Sequence, residues 1–406
     1  MAEGARRPHD VPDDRSEAFG ERLLGVLLDR AHDLPPHLIV PLIAEEIGRI
    51  GGRDVSVFLQ DFEQLMLVPL TGGRLMAGEA EPITGSHPGR ALVEAAPVEV
   101  PQADGTRMYL PLLGGSDQSG VLGVTMDSVA EDERRLLRRL AALLALTLGT
   151  MNRYTDQFTT TRRRTPMTVA AEIQWSLLPP LTMRVPQVEV AGVLEPAYEV
   201  AGDSFDYALN DDILHVAVID AMGHGLDAAV MATAAIGAYR HARRSDVSLS
   251  EIYAFMDRVI AEQFGPEHFV TAQMMRLNVA TGHLQWVNAG HPAPLLIRDR
   301  RVIERLESRT TLPVGFGGEE PRISERALRR GDRVLCFTDG LTEERAAEGA
   351  QFGLDQLIGI VERVGARERD VRATVRVLSQ ALMRARSGVT SDDATIFLFE
   401  WRGGTS

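Results

Sequence analysis

The sequence contains no lysine, so all 43 of its basic residues are arginine. A Walker A phosphate loop, a Schiff-base enzyme and the ATP-binding strand of a protein kinase each need a lysine, and these classes are therefore excluded. Because arginine keeps its proton at any working pH, general-base work must fall to histidine, to a carboxylate or to water activated by a metal.

Cysteine and long apolar runs are also scarce, and the 57 acidic residues outnumber the 43 basic ones. The only cysteine, Cys336, excludes a disulfide framework and a cysteine-ligated zinc. No apolar run reaches the roughly eighteen residues of a membrane helix, and the N-terminus lacks a signal-peptide core. The net charge of −14 argues against binding to nucleic acid or to an anionic membrane. We therefore expect a soluble, cytoplasmic protein.

Composition and periodicity divide the chain into four segments. Residues 1–17 are polar and predict a disordered tail. Residues 18–130 combine two helical patterns with short strands, which indicates a compact α+β domain. Within that domain, YLPLLGGSDQSGVLGVTMDS followed by a long helix resembles the last strands of a GAF sensor domain. The resemblance implies a GAF-like sensor whose ligand is unknown, since no Cys/His cluster indicates a haem or a metal.

Residues 131–182 predict a helical linker. Over 136–158 the apolar positions follow 3-4-3-4 spacing, which is typical of a coiled-coil seam and predicts a parallel homodimer. The alternative is a helix that packs only on its own sensor domain. The seam positions are Leu137, Leu140, Leu144, Thr147, Met151, Tyr154 and Phe158.

Residues 183–402 predict a larger domain in which strands follow one another through short turns and helices arrive in pairs. This order favours an antiparallel α+β sandwich over a Rossmann fold. Helices are expected over roughly Leu226 to Arg243, Leu249 to Phe264, Asp355 to Val364 and Asp370 to Arg386.

One predicted hairpin in this domain carries an aspartate at each side of its open end. If Asp211 and Asp212 form the turn, Asn210 pairs with Ile213, and Asp203 then pairs with Asp220. Directly opposed side chains lie about 5 Å apart, and like charges there are destabilising. A cation between the two carboxylates is therefore expected.

Two further acidic turns match this pair. DRVLCFTDG ends a strand at Asp339, and SDDATIFLFE places Asp392 and Asp393 at the start of the last strand. Oxygen ligands favour Mg²⁺ or Mn²⁺ over zinc, and a bridging carboxylate allows two metals about 3.5–4 Å apart. The four acidic sites thus predict a metal centre at the strand ends.

Five motifs occur in the order and spacing of the SpoIIE-like branch of the metal-dependent protein phosphatase (PPM) family. They are EVAGDSFDYAL, VIDAMGHGLDAAV, LNVATGHLQWVNAGHPAPLLI, LRRGDRVLCFTDGLTEER and SDDATIFLFE. The resemblance implies an αββα sandwich, two Mn²⁺ or Mg²⁺ ions, and hydrolysis of phosphoserine or phosphothreonine in proteins by activated water.

The resemblance also implies roles for individual residues. Asp220 corresponds to the ligand that bridges both metals, with the Ala221 carbonyl as its neighbour, and Asp203 corresponds to the aspartate that holds the second metal. The remaining ligands of the first metal correspond to Asp339 and one of Asp392 and Asp393, of which Asp392 is favoured. Catalysis is accordingly assigned to Asp203, Asp220 and Asp339.

Relatives of this architecture dephosphorylate anti-anti-sigma (STAS) proteins, so a phosphorylated STAS protein is the expected partner in sigma-factor regulation. Two rival functions stay open, a small-molecule phosphohydrolase and a non-catalytic scaffold that holds a partner.

Four further polar residues of this domain have less specific expectations. Asp206 is either a support for the metal site or a solvated strand residue. His224 is either a proton donor to the leaving oxygen or a loop residue. His291 has the same two alternatives, and Asn288 is expected to fix the turn that carries it.

Overall fold

The computed structural model describes residues 34–73, 75–114, 117–318, 320–342, 353–368, 370–385 and 393–404, with Gly25 and Asp29. The chain divides into two compact units, Met1–Arg164 and Thr165–Ser406. The predicted tail lies outside the described residues, as does the first helical pattern apart from Gly25 and Asp29. Among those described, no helix has the length and apolar character needed to cross a membrane.

The first unit is built on a six-stranded antiparallel sheet. Its strand order is β3-β2-β1-β6-β5-β4. The strands are β1 (Arg53–Gln60), β2 (Met66–Pro69), β3 (Glu81–Pro82), β4 (Val98–Gln102), β5 (Gly105–Gly114) and β6 (Asp117–Met126). The helices are α1 (Pro36–Arg49), α2 (His87–Glu94), α3 (Glu131–Met151) and α4 (Gln157–Arg162).

Helix α3 packs on the sheet of its own unit. Leu137, Leu140 and Leu144 are fully buried in a core that also contains Leu110 and Leu122 of the sheet. These leucines were predicted to form the seam of a dimer, and that prediction is wrong. Their 3-4 spacing marks the face that α3 turns to its own sheet, as in the alternative interpretation.

The predicted continuous helix over 136–158 is also interrupted. Helix α3 ends at Met151, and Phe158 lies on the separate short helix α4. Phe158 is buried in the core of the first unit, whereas Tyr154, between the two helices, is 64% exposed. A local break therefore replaces the last heptad of the predicted coiled coil.

The second unit contains two antiparallel sheets. One has the order β15-β12-β11-β10-β9 and the other β14-β13-β16-β17-β8-β7. The strands are β7 (Thr182–Arg184), β8 (Val188–Glu195), β9 (Asp203–Asn210), β10 (Ile213–Ala221), β11 (Val270–Asn278), β12 (His283–Ala289), β13 (Leu295–Arg298), β14 (Arg301–Arg305), β15 (Ser324–Ala327), β16 (Arg333–Phe337) and β17 (Ala394–Trp401).

Helices cover the outer faces of these sheets. They are α5 (Val169–Leu177), α6 (Gly225–Arg244), α7 (Leu249–Phe264), α8 (Leu354–Gly365) and α9 (Val371–Ala385). Helix α7 has the predicted bounds, and its start is fixed by the reciprocal capping box that Ser248 and Glu251 form.

Three apolar cores hold the second unit together. Val216 and Phe397 meet between the two sheets. Ala217 lies in the core beneath α6 and α7, and Leu335 lies in the core beneath α8 and α9. The layers therefore run helix, sheet, sheet, helix, and the predicted α+β class with antiparallel sheets is confirmed.

Candidate metal centre

The β9–β10 hairpin has the register predicted from its turn. Asn210 pairs with Ile213, and Asp203 pairs with Asp220 seven positions further along the ladder. Asp211 adopts a left-handed conformation with φ of 48°, which suits aspartate in a tight hairpin turn. The two carboxylate residues are therefore cross-strand neighbours.

Both aspartates belong to the face of the hairpin that looks toward the other sheet. On β10, Val216 and Val218 pack between the sheets, whereas Ala217 and Ile219 pack beneath the helices. Side chains alternate along a strand, so Asp220 shares the inter-sheet face with Val218. Asp203 shares that face with Phe205 of β9, by the same alternation.

Two threonines from the opposite sheet hold Asp203. The Thr338 hydroxyl donates to Asp203 Oδ2 at 2.6 Å, and the Thr395 hydroxyl donates to the same oxygen at 2.8 Å. Both threonines are fully buried, and Asp203 is 2% exposed. Within the described part of the chain, the side-chain hydrogen bonds of Asp203 fall on Oδ2, which leaves Oδ1 as the oxygen for a ligand.

The electrostatic environment of Asp203 disfavours its charge. Burial raises the pKa of its carboxyl group well above the ordinary range, and the charges of Asp220 and Asp393 raise this pKa further. The hydrogen bonds from Thr338 and Thr395 oppose the rise. A bound cation would relieve this cost, so the chemistry of the cluster fits a cation site.

The turn before Asp203 packs closely on the Ala221 carbonyl. A Cβ added to Gly202 would lie 2.5 Å from the Ala221 carbonyl oxygen, and the Ala221 amide donates to the Gly202 carbonyl at 3.1 Å. Only glycine allows this approach at position 202. The predicted carbonyl ligand is thus fixed beside the Asp203–Asp220 pair.

The second sheet brings its own acidic residues to the same region. Asp339 begins a short 3₁₀ helix directly after β16, and Asp393 precedes β17. A Cβ added to Gly340 would lie 1.8 Å from the Asp393 carbonyl oxygen, so the two turns touch. Asp392, the favoured ligand of the pair, lies outside the described residues.

Asp393 binds the backbone of the turn before Asp203. Its Oδ2 accepts hydrogen bonds from the amides of Ala201 and Gly202, each at 2.7 Å, and from the Asp203 amide at 3.4 Å. Asp393 lies directly before β17 of the second sheet, yet its carboxylate binds the turn that precedes β9 of the first sheet. It therefore connects the two acidic turns.

Asp206 is not a solvated strand residue. It is 1% exposed, and its carboxylate binds two arginines of α6. Arg240 donates to Oδ1 at 2.6 Å and to the Leu177 carbonyl, and Arg243 donates to Oδ2. Asp206 alternates with Asp203 and faces the helices, so these contacts attach α6 and the end of α5 to β9.

The two histidines differ in their surroundings. His224 is exposed at the start of α6. His291 is 5% exposed, and its Nδ1 lies 2.8 Å from the Thr271 hydroxyl. Asn288 brackets His291 by accepting from its amide at 2.9 Å and donating to its carbonyl at 2.7 Å. Burial lowers the pKa of His291 to about 3, so this histidine is neutral in the folded protein.

The described residues do not contain a closed ligand set. In ranges 34–342 and 353–404, gaps excepted, no group of three His, Cys, Asp or Glu side chains could hold a metal ion. They do contain the opposed pair Asp203 and Asp220, the Ala221 carbonyl and the adjoining Asp339 turn. These hard oxygen donors are of the type that Mg²⁺ and Mn²⁺ bind.

Sequence reasoning missed the residues that position the site. Thr338 and Thr395 are separated from Asp203 by 135 and 192 residues. The available signal was their position, since Thr338 directly precedes Asp339 and Thr395 follows the Asp392–Asp393 pair by two residues. The pairing of Asp206 with Arg240 and Arg243 was also missed.

The second unit contains a region that matches a known protein family. Residues 210–402 match the family model of the stage II sporulation protein E (SpoIIE). The matched range contains Asp220, Ala221, Asp339 and the Asp392–Asp393 pair, and it begins just after Asp203. The second unit therefore contains a region that is similar to the SpoIIE family, and the resemblance identified from the motifs is confirmed.

Two curated relatives come from Bacillus subtilis (strain 168). The phosphoserine phosphatase RsbP is 26% identical over 167 residues, which are 40% of this chain and 41% of the relative. The phosphoserine phosphatase RsbU is 22% identical over 183 residues, which are 45% of this chain and 54% of the relative. The matched region thus spans about half the length of these relatives.

Solved structures show similarity over a comparable region. The SiaA-PP2C domain of Pseudomonas aeruginosa has a TM-score of 0.49 and 20% identity, covering 57% of this chain and 94% of that one. The phosphatase domain of SpoIIE from Bacillus subtilis has a TM-score of 0.41 and 16% identity, covering 54% and 94%.

Proposed function

We propose that the second unit is a metal-dependent protein serine/threonine phosphatase. The observation that carries the proposal is the opposed pair Asp203 and Asp220, which faces the second sheet in a unit that is similar to the SpoIIE family. Two like charges in register are destabilising unless a cation binds them. A metal-binding site would therefore explain why the two aspartates are paired, whereas a hairpin without a metal would not.

Oxygen atoms from both sheets would hold two Mn²⁺ or Mg²⁺ ions. Asp220 would contact both ions, with the Ala221 carbonyl beside it, and Asp203 would hold the second. Asp339 and Asp392 would complete the first site from the other sheet. Bound cations of this kind lower the pKa of water toward neutrality and neutralise charge on a phosphoryl group.

The protein's own contribution is to position these oxygens. Thr338 and Thr395 fix the Asp203 carboxylate through its Oδ2. Asp220, Asp339 and Asp393 are partly exposed, so the cluster is open to solvent at the strand ends. A phosphorylated side chain on the surface of another protein can reach this edge without entering a deep pocket.

A phosphorylated regulatory protein, and within that class an anti-anti-sigma STAS protein, is the proposed substrate. Support comes from the relatives RsbP and RsbU, both named phosphoserine phosphatases. The first unit, which precedes the phosphatase domain in the chain, is proposed to be a GAF-like sensor that regulates the enzyme.

The test compares substrates at equal concentration with Mn²⁺ present. Phosphate release is measured from a phosphoserine-containing STAS protein and from free nucleotides and sugar phosphates. A protein phosphatase hydrolyses the phosphoprotein with a far higher kcat/KM. Faster release from the small molecules would instead identify a small-molecule phosphohydrolase.

A metal titration tests the remaining rival, a non-catalytic scaffold. Calorimetry of the full chain with Mn²⁺ is expected to show binding that Asp220→Asn weakens. A folded wild-type protein that binds no Mn²⁺ and still holds a phosphoprotein would be a scaffold.

A further inference from the structure

We propose that Asp393, together with Thr338 and Thr395, is a positioning residue that joins the two sheets at the metal centre, rather than a metal ligand. These three side chains are called the clasp below. The proposal rests on the proposed function, because it assigns each acidic residue of that site a separate task.

The first observation is the geometry of the Asp393 carboxylate. Its Oδ2 accepts from three consecutive backbone amides, those of Ala201, Gly202 and Asp203, at 2.7, 2.7 and 3.4 Å. Successive amides that converge on one oxygen form a concave anion site, and charge-assisted hydrogen bonds of this kind are strong. The turn before Asp203 is thus bound to an anion that the second sheet supplies.

The second observation is that this turn has little room to move. On one side, Gly202 packs against the Ala221 carbonyl, where an added Cβ would lie only 2.5 Å from the oxygen. In addition, the Gln174 side chain, which is fully buried, donates to the Ala201 carbonyl. Loss of the Asp393 carboxylate would leave the three amides without their acceptor and release the turn.

The third observation concerns the threonines. Thr338 accepts from the Thr395 amide at 2.8 Å while it donates to Asp203 Oδ2, so both threonine hydroxyls act on one carboxylate oxygen. The clasp therefore fixes Asp203 twice, by its backbone through Asp393 and by its side chain through the threonines. Both contacts bridge from the second sheet to the first.

The proposal gives the neighbouring Asp392 and Asp393 different tasks. Asp393 uses Oδ2 for the backbone of another sheet, and its task requires an acceptor oxygen rather than a metal. An asparagine keeps such an oxygen, whereas an alanine does not. The two substitutions at position 393 therefore distinguish a positioning residue from a ligand.

The experiment uses the full chain and two readouts, the Kd for Mn²⁺ by calorimetry and the thermal unfolding midpoint with a chelator present. Asp393→Ala is expected to raise the Kd by about 10- to 100-fold, the usual effect of losing a partner that orients a ligand. It should also lower the metal-free midpoint by about 5 °C, because three amides lose their acceptor. Asp393→Asn should keep both the Kd for Mn²⁺ and the metal-free unfolding midpoint close to their wild-type values.

The threonines provide a parallel pair of variants. Thr395→Val removes the hydroxyl and should raise the Kd for Mn²⁺, and Thr395→Ser should return it toward the wild-type value. Thr233→Val is the matched control, because the Thr233 hydroxyl donates only to the Ala229 carbonyl of its own helix. Its Kd should equal that of the wild type.

Two results would overturn the clasp. In the first, Asp393→Asn loses as much Mn²⁺ binding as Asp393→Ala, and the metal-free midpoints of both variants stay at the wild-type value. That result would identify Asp393 as a metal ligand. In the second, Thr395→Val binds Mn²⁺ as the wild type does. A wild-type protein that binds no Mn²⁺ contradicts the proposed function instead, and the metal-free midpoints of the two Asp393 variants then still decide whether the clasp exists.

Discussion

Asp203 and Asp220 face each other in register across the β9–β10 hairpin, with both side chains on the face that looks toward the second sheet. The stability of the hairpin does not explain these two aspartates, because opposed like charges destabilise a pair of strands. Burial and the neighbouring charges raise the pKa of Asp203 well above its ordinary range. The hairpin therefore carries a cost that a bound cation would offset.

The close approach at Gly202 is the first testable feature. Gly202→Ala places a Cβ 2.5 Å from the Ala221 carbonyl oxygen, so the turn must shift. We expect a loss of about 1–3 kcal/mol in the free energy of unfolding, together with weaker Mn²⁺ binding. Denaturant unfolding and calorimetry provide the two measurements.

Gly237→Ala is the control for that substitution. Gly237 lies in α6, is exposed, and has no atom within 4 Å of an added Cβ. An alanine there should stabilise the helix by about 0.5–1 kcal/mol and leave Mn²⁺ binding unchanged. Equal effects of the two substitutions would contradict the described packing of the turn.

The buried ion pairs of Asp206 give a prediction about stability. Asp206→Ala leaves Arg240 and Arg243 without their carboxylate, and Arg243 is 7% exposed. Removing one partner of a buried pair costs about 3–5 kcal/mol. In contrast, Asp246→Asn should change the free energy of unfolding by less than about 0.5 kcal/mol, because the Asp246 side chain is 92% exposed and asparagine tolerates its left-handed backbone, with φ of 51°. Similar losses for the two variants would contradict the buried pairing.

Helix α3 offers a test of whether its apolar face is core or interface. Leu140 is fully buried in the first unit, so Leu140→Asp should unfold that unit, with a loss above about 4 kcal/mol. Leu146 is 53% exposed on the same helix, so Leu146→Asp should be tolerated. Circular dichroism and sedimentation decide the outcome, since a dimer seam would give a folded monomer for Leu140→Asp instead.

The pH dependence of stability follows from His215. Burial, with the nearby charges of Arg276 and Arg243, lowers the pKa of His215 from 6.5 to about 4. Because the folded pKa is depressed, the unfolded chain binds the proton more readily. The contribution to stability is therefore complete above about pH 6.5 and is lost as the pH falls toward 4.

His215→Gln measures that contribution. Between about pH 7.5 and about pH 5, the wild type should lose roughly 1–2 kcal/mol more stability than the variant, after allowance for screening by water. Denaturant unfolding at the two pH values is the measurement. Parallel pH profiles for the two proteins would show that His215 does not titrate as described.

Local signals explain what the sequence predicted well. The turn residues Asp211 and Asp212 set the register of the hairpin, and register then determines that Asp203 meets Asp220. Ser248 and Glu251 likewise set the start of α7. In each case the controlling residues lie within a few positions of the feature that they control.

Long-range contacts explain what could not be predicted. The same 3-4 spacing marks a helix that packs on a partner and a helix that packs on its own sheet, so the position of Leu140 in α3 does not distinguish them. The hydrogen bonds from Thr338 and Thr395 to Asp203 join residues that only the packing of two sheets brings together. Strand β14 alternates exposed and half-buried residues, so its apolar pattern is weak.

The most direct test of the central claim is phosphate release from a phosphorylated STAS protein, with Mn²⁺ or with a chelator, for wild type, Asp220→Asn and the control Asp227→Asn. Asp227 is exposed in the first turn of α6, outside the cluster. The account predicts Mn²⁺-dependent release by the wild type and the control. Asp220→Asn should lower the rate of phosphate release by more than about 100-fold. Removing a residue that only hydrogen-bonds to a metal ligand typically lowers activity by about 10- to 100-fold, and loss of the ligand itself should have a larger effect. Release that persists in the chelator, or in Asp220→Asn, would contradict a metal centre at this hairpin.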